Sequence, residues 1–194
     1  MRTFAEVRTN ITARLYNVAN VPNDGAALVP IADQMVAALY VNSTPIRNDI
    51  IESWGMCARD VLNEARYNLA NEYKIKGMRE MLADMGCPEF MLPPVSEDGK
   101  EMMYVLTNET YEFGSGVILA PDVMKAVKGM IGNFVILPSS IHEVILVPIT
   151  EESMSVDGLN NIINSVNTEQ VAPKDQLSDK AYLYNFTTNE LEVA

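Results

Sequence analysis

Two short, wholly apolar runs, Phe134 to Leu137 and Val144 to Val147, flank the segment Pro138-Ser139-Ser140-Ile141-His142. A strand with one face in water alternates apolar with polar residues, whereas an unbroken run is stable as a strand when both faces are covered. The pattern predicts two adjacent strands in a central sheet. Neither run approaches the roughly 20 residues needed to cross a bilayer, and with 48% hydrophobic residues in a chain of 194 there is enough apolar material for a real core.

Elsewhere helical periodicity dominates. Thr3 and Glu6 have capping-box spacing, and Phe4, Val7, Ile11, Leu15 and Val18 then fall on one stripe, which predicts an N-terminal amphipathic helix. Val21-Pro22-Asn23-Asp24-Gly25 breaks it, and the run from Met35 to Val41 suits a strand. Asn48 caps a short helix with Ile50, Ile51 and Trp54 turned inward and Gly55 as its stop. Cys57, Val61, Ala65, Leu69 and Tyr73 recur at four-residue steps, and a helix continues or restarts through Met78, Met81, Leu82 and Met85.

Residues 86–101, with three prolines and two glycines, read as a connecting loop between a mainly helical part, 1–85, and an acidic α+β part, 102–194, of one compact domain. Strands are expected at Met102 to Leu106 and Val117 to Leu119. A helix should open at Pro121 and stop at Gly132, and another should follow Ser155 through Leu159, Ile162, Ile163 and Val166. Tyr182 to Val193 reads as a closing hairpin. The expected class is α+β, a mainly helical first half packed on a mostly antiparallel sheet formed chiefly by the second half.

Charge is distributed unevenly. Residues 1–83 carry nine Lys/Arg and nine Asp/Glu, residues 84–194 five and seventeen, so the net charge of -12 belongs to the second half. That half should repel nucleic acid and attract basic protein surfaces. Partner-binding candidates are Glu97, Asp98, Glu101, Glu109, Glu112, Glu151, Glu152 and Asp157. Cys57 and Cys87 are read as buried small hydrophobes, with no metal-ligand spacing around either. The methionines from Met78 to Met103 are read as adaptable core filler, with a homodimer through that stretch left open. The N-terminus lacks a signal-peptide pattern, so a cytoplasmic protein is expected.

Little in the chain spells out catalysis. His142 is the sole histidine, and Ser139 or Ser140 with Glu143 would complete a triad by composition. Ser140 and His142 would project in parallel from a strand, however, and no nucleophile-elbow pattern is present. Gly114-Ser115-Gly116 lacks the Lys-Ser/Thr and helix start of a phosphate loop, and reads as a bulge or turn. No catalytic residue, metal site or cofactor is assigned.

Four blocks, MYVLTN (103–108), ILPSSIHEVILVP (136–148), VNTEQVAP (166–173) and LSDKAYLY (177–184), resemble the C-terminal part of an uncharacterised protein family of Clostridia-type gut bacteria and their mobile elements. The first half matches more loosely, through the opening helix, the Val21-Pro22 break and the Trp54-Gly55 stop. Family members are basic after that Val-Pro, where this chain has Asn23-Asp24-Gly25. The family brings no activity and no catalytic residues. In size, acidity and setting the chain is also similar to anti-CRISPR inhibitors of type II-A Cas9. That resemblance implies a non-enzymatic, cofactor-free inhibitor whose acidic surface meets a basic protein partner, Cas9 with guide RNA, and hinders DNA binding or cleavage. The alternatives are a hydrolase using His142 with Ser139 or Ser140, and a regulatory or scaffold module of a conjugative element.

Overall fold

The computed structural model describes residues 2–96, 99–150 and 155–194. Helix α1 (Phe4–Val7) starts where expected: the Glu6 carboxylate accepts from the Thr3 N–H at 2.7 Å and from the Thr3 hydroxyl at 2.9 Å. The long N-terminal helix does not form. After a 3-10 turn over Arg8–Asn10 the chain becomes strand β1 (Ile11–Asn17). A four-residue step from Ile11 to Leu15 fits one face of a strand as well as one face of a helix, and β-branched Ile11 and Thr12 favour the extended form. Ile11, Ala13 and Leu15 are buried, while Thr12 and Arg14 are half-buried on the other face.

Strand β2 (Leu28–Ala32) turns through Asp33 and Gln34 into β3 (Met35–Val41), and β4 (Thr44–Pro45) folds back on it. In this first sheet β3 lies between β1 and β2, pairing with β1 from Ile11↔Val41 to Asn17↔Met35. Helix α2 (Asn48–Ser53) ends at Gly55, whose φ of 71° needs no side chain, and Trp54 packs its ring against Phe4. Helix α3 (Ala58–Leu69) buries Val61, Leu62, Ala65 and Leu69. It stops short of Tyr73, which opens β5 (Tyr73–Gly77) and so leaves the helical stripe on which the sequence placed it. Helix α4 (Met78–Asp84) follows.

Past the connecting loop come β6 (Tyr104–Asn108), α5 (Pro121–Ile131), β7 (Phe134–Leu137), β8 (Val144–Pro148), α6 (Val156–Glu169), β9 (Tyr182–Asn185) and β10 (Glu190–Val193). The caps of two helices are those expected: Pro121 opens α5, and the Ser155 hydroxyl accepts the Gly158 N–H at 3.2 Å. The second sheet has the order β10-β9-β7-β8-β6-β5, and its pairings are antiparallel.

The two apolar runs are neighbours at the centre of this sheet, covered on both faces. Phe134, Ile136, Val144 and Leu146 enter the main core with α3, α5 and the first sheet. Val135, Leu137, Ile145 and Val147 meet Leu159 and Ile163 of α6.

The fold is therefore α+β with antiparallel sheets, but the first half is less helical than its periodicity suggested, since it supplies β1 to β5. The expected strand at Val117–Leu119 is instead a buried 3-10 segment, Gly114–Leu119. Cys57 is exposed and Cys87 half-exposed, because Cys57 sits at the start of α3, where its N–H donates to Asp60 at 3.0 Å. The methionine stretch is core only in part: Met78 and Met103 pack against the cluster under α6. Met85, Met91 and Met102 are exposed along with Phe90, which is 87% accessible. Met85 follows the end of the short α4, Phe90 and Met91 lie in the connecting loop, and Met102 comes directly after it.

Candidate functional site

The 3-10 segment joins the two sheets because its glycines allow close approach. A side chain at Gly116 would stand 2.5 Å from the Ala13 carbonyl oxygen of β1. One at Gly114 would stand 2.6 Å from both the Asn108 nitrogen and the His142 carbonyl oxygen. Between them the Ser115 hydroxyl donates to Ile141 O at 2.7 Å. Gly-Ser-Gly is thus a packing device here rather than a phosphate cradle.

The loop entering this segment holds two bulky residues in left-handed backbone, Tyr111 at φ 57° and Phe113 at φ 53°. Such conformations cost on the order of 1–3 kcal/mol each and persist when neighbouring contacts enforce them. The Asn108 side-chain amide donates to Glu112 O at 2.8 Å. The Phe113 N–H donates to His142 Nδ1 at 3.3 Å, with the two rings 5.7 Å apart.

Phe113 also covers Arg14. The guanidinium carbon lies 4.1 Å from the Phe113 ring centre and 4.3 Å from that of Tyr40. Tyr40 is fixed by its hydroxyl, which donates to Asp24 at 2.7 Å; burial first and that bond second push its pKa upward. Arg14 opens onto a cleft of about 250 Å³ between β1, the end of α3 and the 108–113 loop, lined by Asn10, Asn42, Asn68, Glu72, Asn108 and Glu112 among others. The Asn68 amide, also at the cleft, donates to Arg8 O at 2.7 Å and Ile11 O at 2.8 Å.

The four acidic candidates among the described residues do not converge. Strand β6 runs from Tyr104 to Asn108, five residues or about 17 Å. Glu109 and Glu112 follow its far end, on the side of His142, and are exposed at the rim of the cleft region. Glu101 precedes its near end, where its carboxylate accepts from the Arg79 N–H at 3.1 Å and the Glu80 N–H at 3.3 Å, capping α4. Asp157 lies in the first turn of α6, which packs on the opposite face of the sheet. Glu97, Asp98, Glu151 and Glu152 lie outside the described residues.

Ion pairs form both within the halves and across the charge split. Arg8 meets Glu64 at 3.0 Å within the first half, while Lys76 reaches Asp84 at 2.6 Å and Arg79 reaches Glu89, both acids of the second half. In the second half Lys180 is spent on Asp33, and Lys125 stands 3.9 Å from Asp122. Among the described residues Glu109, Glu112, Asp157, Glu169, Asp175 and Glu190 have no ion-pair partner.

The serines beside His142 are turned inward. Ser139 and Ser140 are each 2% exposed, and the Ser140 hydroxyl accepts the His142 backbone N–H at 2.9 Å. The imidazole Nδ1 is occupied by Phe113 N–H. Glu143, half-buried, has its carboxyl raised above the ordinary range by burial, with His142 and Ser140 acting the other way. Among the described residues no three His, Cys, Asp or Glu side chains gather as a metal site.

Sequence reasoning passed over Arg14, Tyr40, Asp24, Asn68 and Phe113. Once β1 is read as a strand, the signal is there: Thr12 and Arg14 alternate with Ile11, Ala13 and Leu15, so an arginine must leave the core face beside whatever β3 presents. The blocks that carry the family resemblance form β6, the β7–β8 unit, the end of α6 and the entry to β9. No curated protein and no solved structure matches the chain. The model of a family of unknown function, DUF5688, matches residues 26–185, from the approach to β2 through β9 and including the 108–113 loop. With most of its length under that match, the chain belongs to the DUF5688 family.

Proposed function

We propose that this protein is a binding module that engages a basic protein surface through its acidic second half, and that it acts for a mobile element as a stoichiometric inhibitor of a host defence effector. The observation that carries this reading is the set of unpaired carboxylates. Glu109, Glu112, Asp157 and Glu190 are exposed, with no ion-pair partner among the described residues. Unmatched surface charge raises the rate and selectivity of encounter with an oppositely charged partner. The inward-facing Ser139 and Ser140 favour this reading over a hydrolase built on His142.

Among basic effectors, a type II-A Cas9 with its guide RNA offers a positively charged channel for the heteroduplex and displaced strand. The test is DNA cleavage by that complex, titrated with this protein added before or after target DNA. Protection near equimolar protein, weakened by Glu109→Lys with Glu112→Lys and by added salt, is the expected result. Full cleavage at excess protein rejects Cas9 as the target. Charge reversal without effect on a partner found by capture rejects the acidic surface.

A further inference from the structure

The protein-binding reading leaves Arg14 unused. Its guanidinium lies over two aromatic rings, its nearest recorded polar contact is Ser43 Oγ at 3.5 Å, and among the described residues it has no carboxylate partner. Stacking orders the long side chain in advance, so its N–H fork can take a carboxylate bidentately at little further entropic cost. The clasp itself is rigid. Tyr40 is 1% exposed and tied to Asp24, and Phe113 is tied to His142.

The cleft it faces is also lined by Glu72 and Glu112, with Asn10 and Asn42 beside them. One cation against two carboxylates disfavours a simple anion such as phosphate. A simple cation would meet the two carboxylates but leave the guanidinium of Arg14 without a partner. A molecule that carries both charges a few ångströms apart satisfies all three side chains, and a volume of about 250 Å³ is just below the range of drug-sized sites. We infer that this cleft binds a small zwitterion of the α-amino-acid class, its carboxylate on Arg14 and its ammonium on Glu72 and Glu112. The site does not depend on the protein-binding reading, and it is tested on the protein alone.

The experiment is saturation-transfer NMR on the full chain with the standard L-amino acids, one at a time, followed by calorimetry on those that bind. Matched probes remove one charge: the corresponding carboxylic acid without the amine, and the amine without the carboxylate. At least one amino acid should bind, and neither single-charge probe should match it. Arg14→Gln should lower affinity by about tenfold or more, the scale of a bidentate charge-assisted contact. Because Arg14 is half-buried, Glu112→Gln at an exposed position serves as the second variant, and amide spectra report folding for both. Equal binding of the deaminated acid overturns the zwitterion assignment. So does binding unchanged in both variants, or no binding of any amino acid at millimolar concentration by a protein with a folded spectrum.

Discussion

Replacing Gly114 with alanine tests the joint between the two sheets. The added methyl would sit 2.6 Å from the Asn108 nitrogen and 2.6 Å from the His142 carbonyl oxygen, and closer still to Thr107 Oγ1, where real contacts essentially never fall below 3.0 Å. Two of these atoms are backbone. The third cannot swing aside without loss, because the Thr107 hydroxyl donates to His142 O at 2.8 Å and is buried. Overpacking costs about 1–3 kcal/mol, and forfeiting the hydroxyl bond costs about 1 kcal/mol more. The stiffer unfolded chain returns about 0.4–1 kcal/mol. The net destabilisation is about 1–3 kcal/mol, and at about 2–4 °C per kcal/mol for a chain of this size the midpoint should fall by about 2–12 °C in a calorimetric scan. Gly129 is the control, since it is exposed in α5 with nothing within 4 Å of the position a methyl would take. Its alanine variant should gain about 0.5–1 kcal/mol. If Gly114→Ala melts at or above the wild type while Gly129→Ala rises, the close approach at the joint is wrong.

Two further outcomes follow from buried polar groups. Burial raises the Glu143 carboxyl, so the folded state keeps a proton that the unfolded chain has released, and stability falls as pH climbs from the ordinary carboxylate range through the folded value. Glu143→Gln should therefore match the wild type in acid and exceed it at neutral pH in urea titrations; a constant difference across pH would count against the assignment. Tyr184 has a buried hydroxyl without a hydrogen-bond partner among the described residues, and burial pushes it up to about 12. Tyr184→Phe should raise stability by about 1 kcal/mol. A loss of that size by denaturant unfolding would mean the hydroxyl is bonded after all.

What the sequence revealed depended on whether one periodicity could be told from another. The β7 and β8 runs were legible because a residue set apolar on both faces has few homes, and each strand does feed two cores. Helices α5 and α6 were legible from their ends, Pro121, Gly132 and Ser155, where backbone chemistry is local. At Ile11 and Leu15 spacing alone was degenerate, and pairing with β3 decided for a strand. Val117 to Leu119 look like a strand by composition, yet the glycines before them let the chain enter the core as a 3-10 turn. The Arg14 clasp was hidden for a deeper reason. Asp24, Tyr40 and Phe113 come from three segments that only the sheet register and the left-handed loop bring together.

Strand β1 lies outside the family match, and so does β10. A chain trimmed to 26–185 would bare the edge of β3 along Ala37, Ala38 and Leu39, which are wholly buried in the intact protein, and would strip β9 of its outer neighbour. Open apolar edges are templates for strands of other molecules. The trimmed segment should therefore self-associate, and the residues flanking the match act as guards against aggregation of the sheets they border.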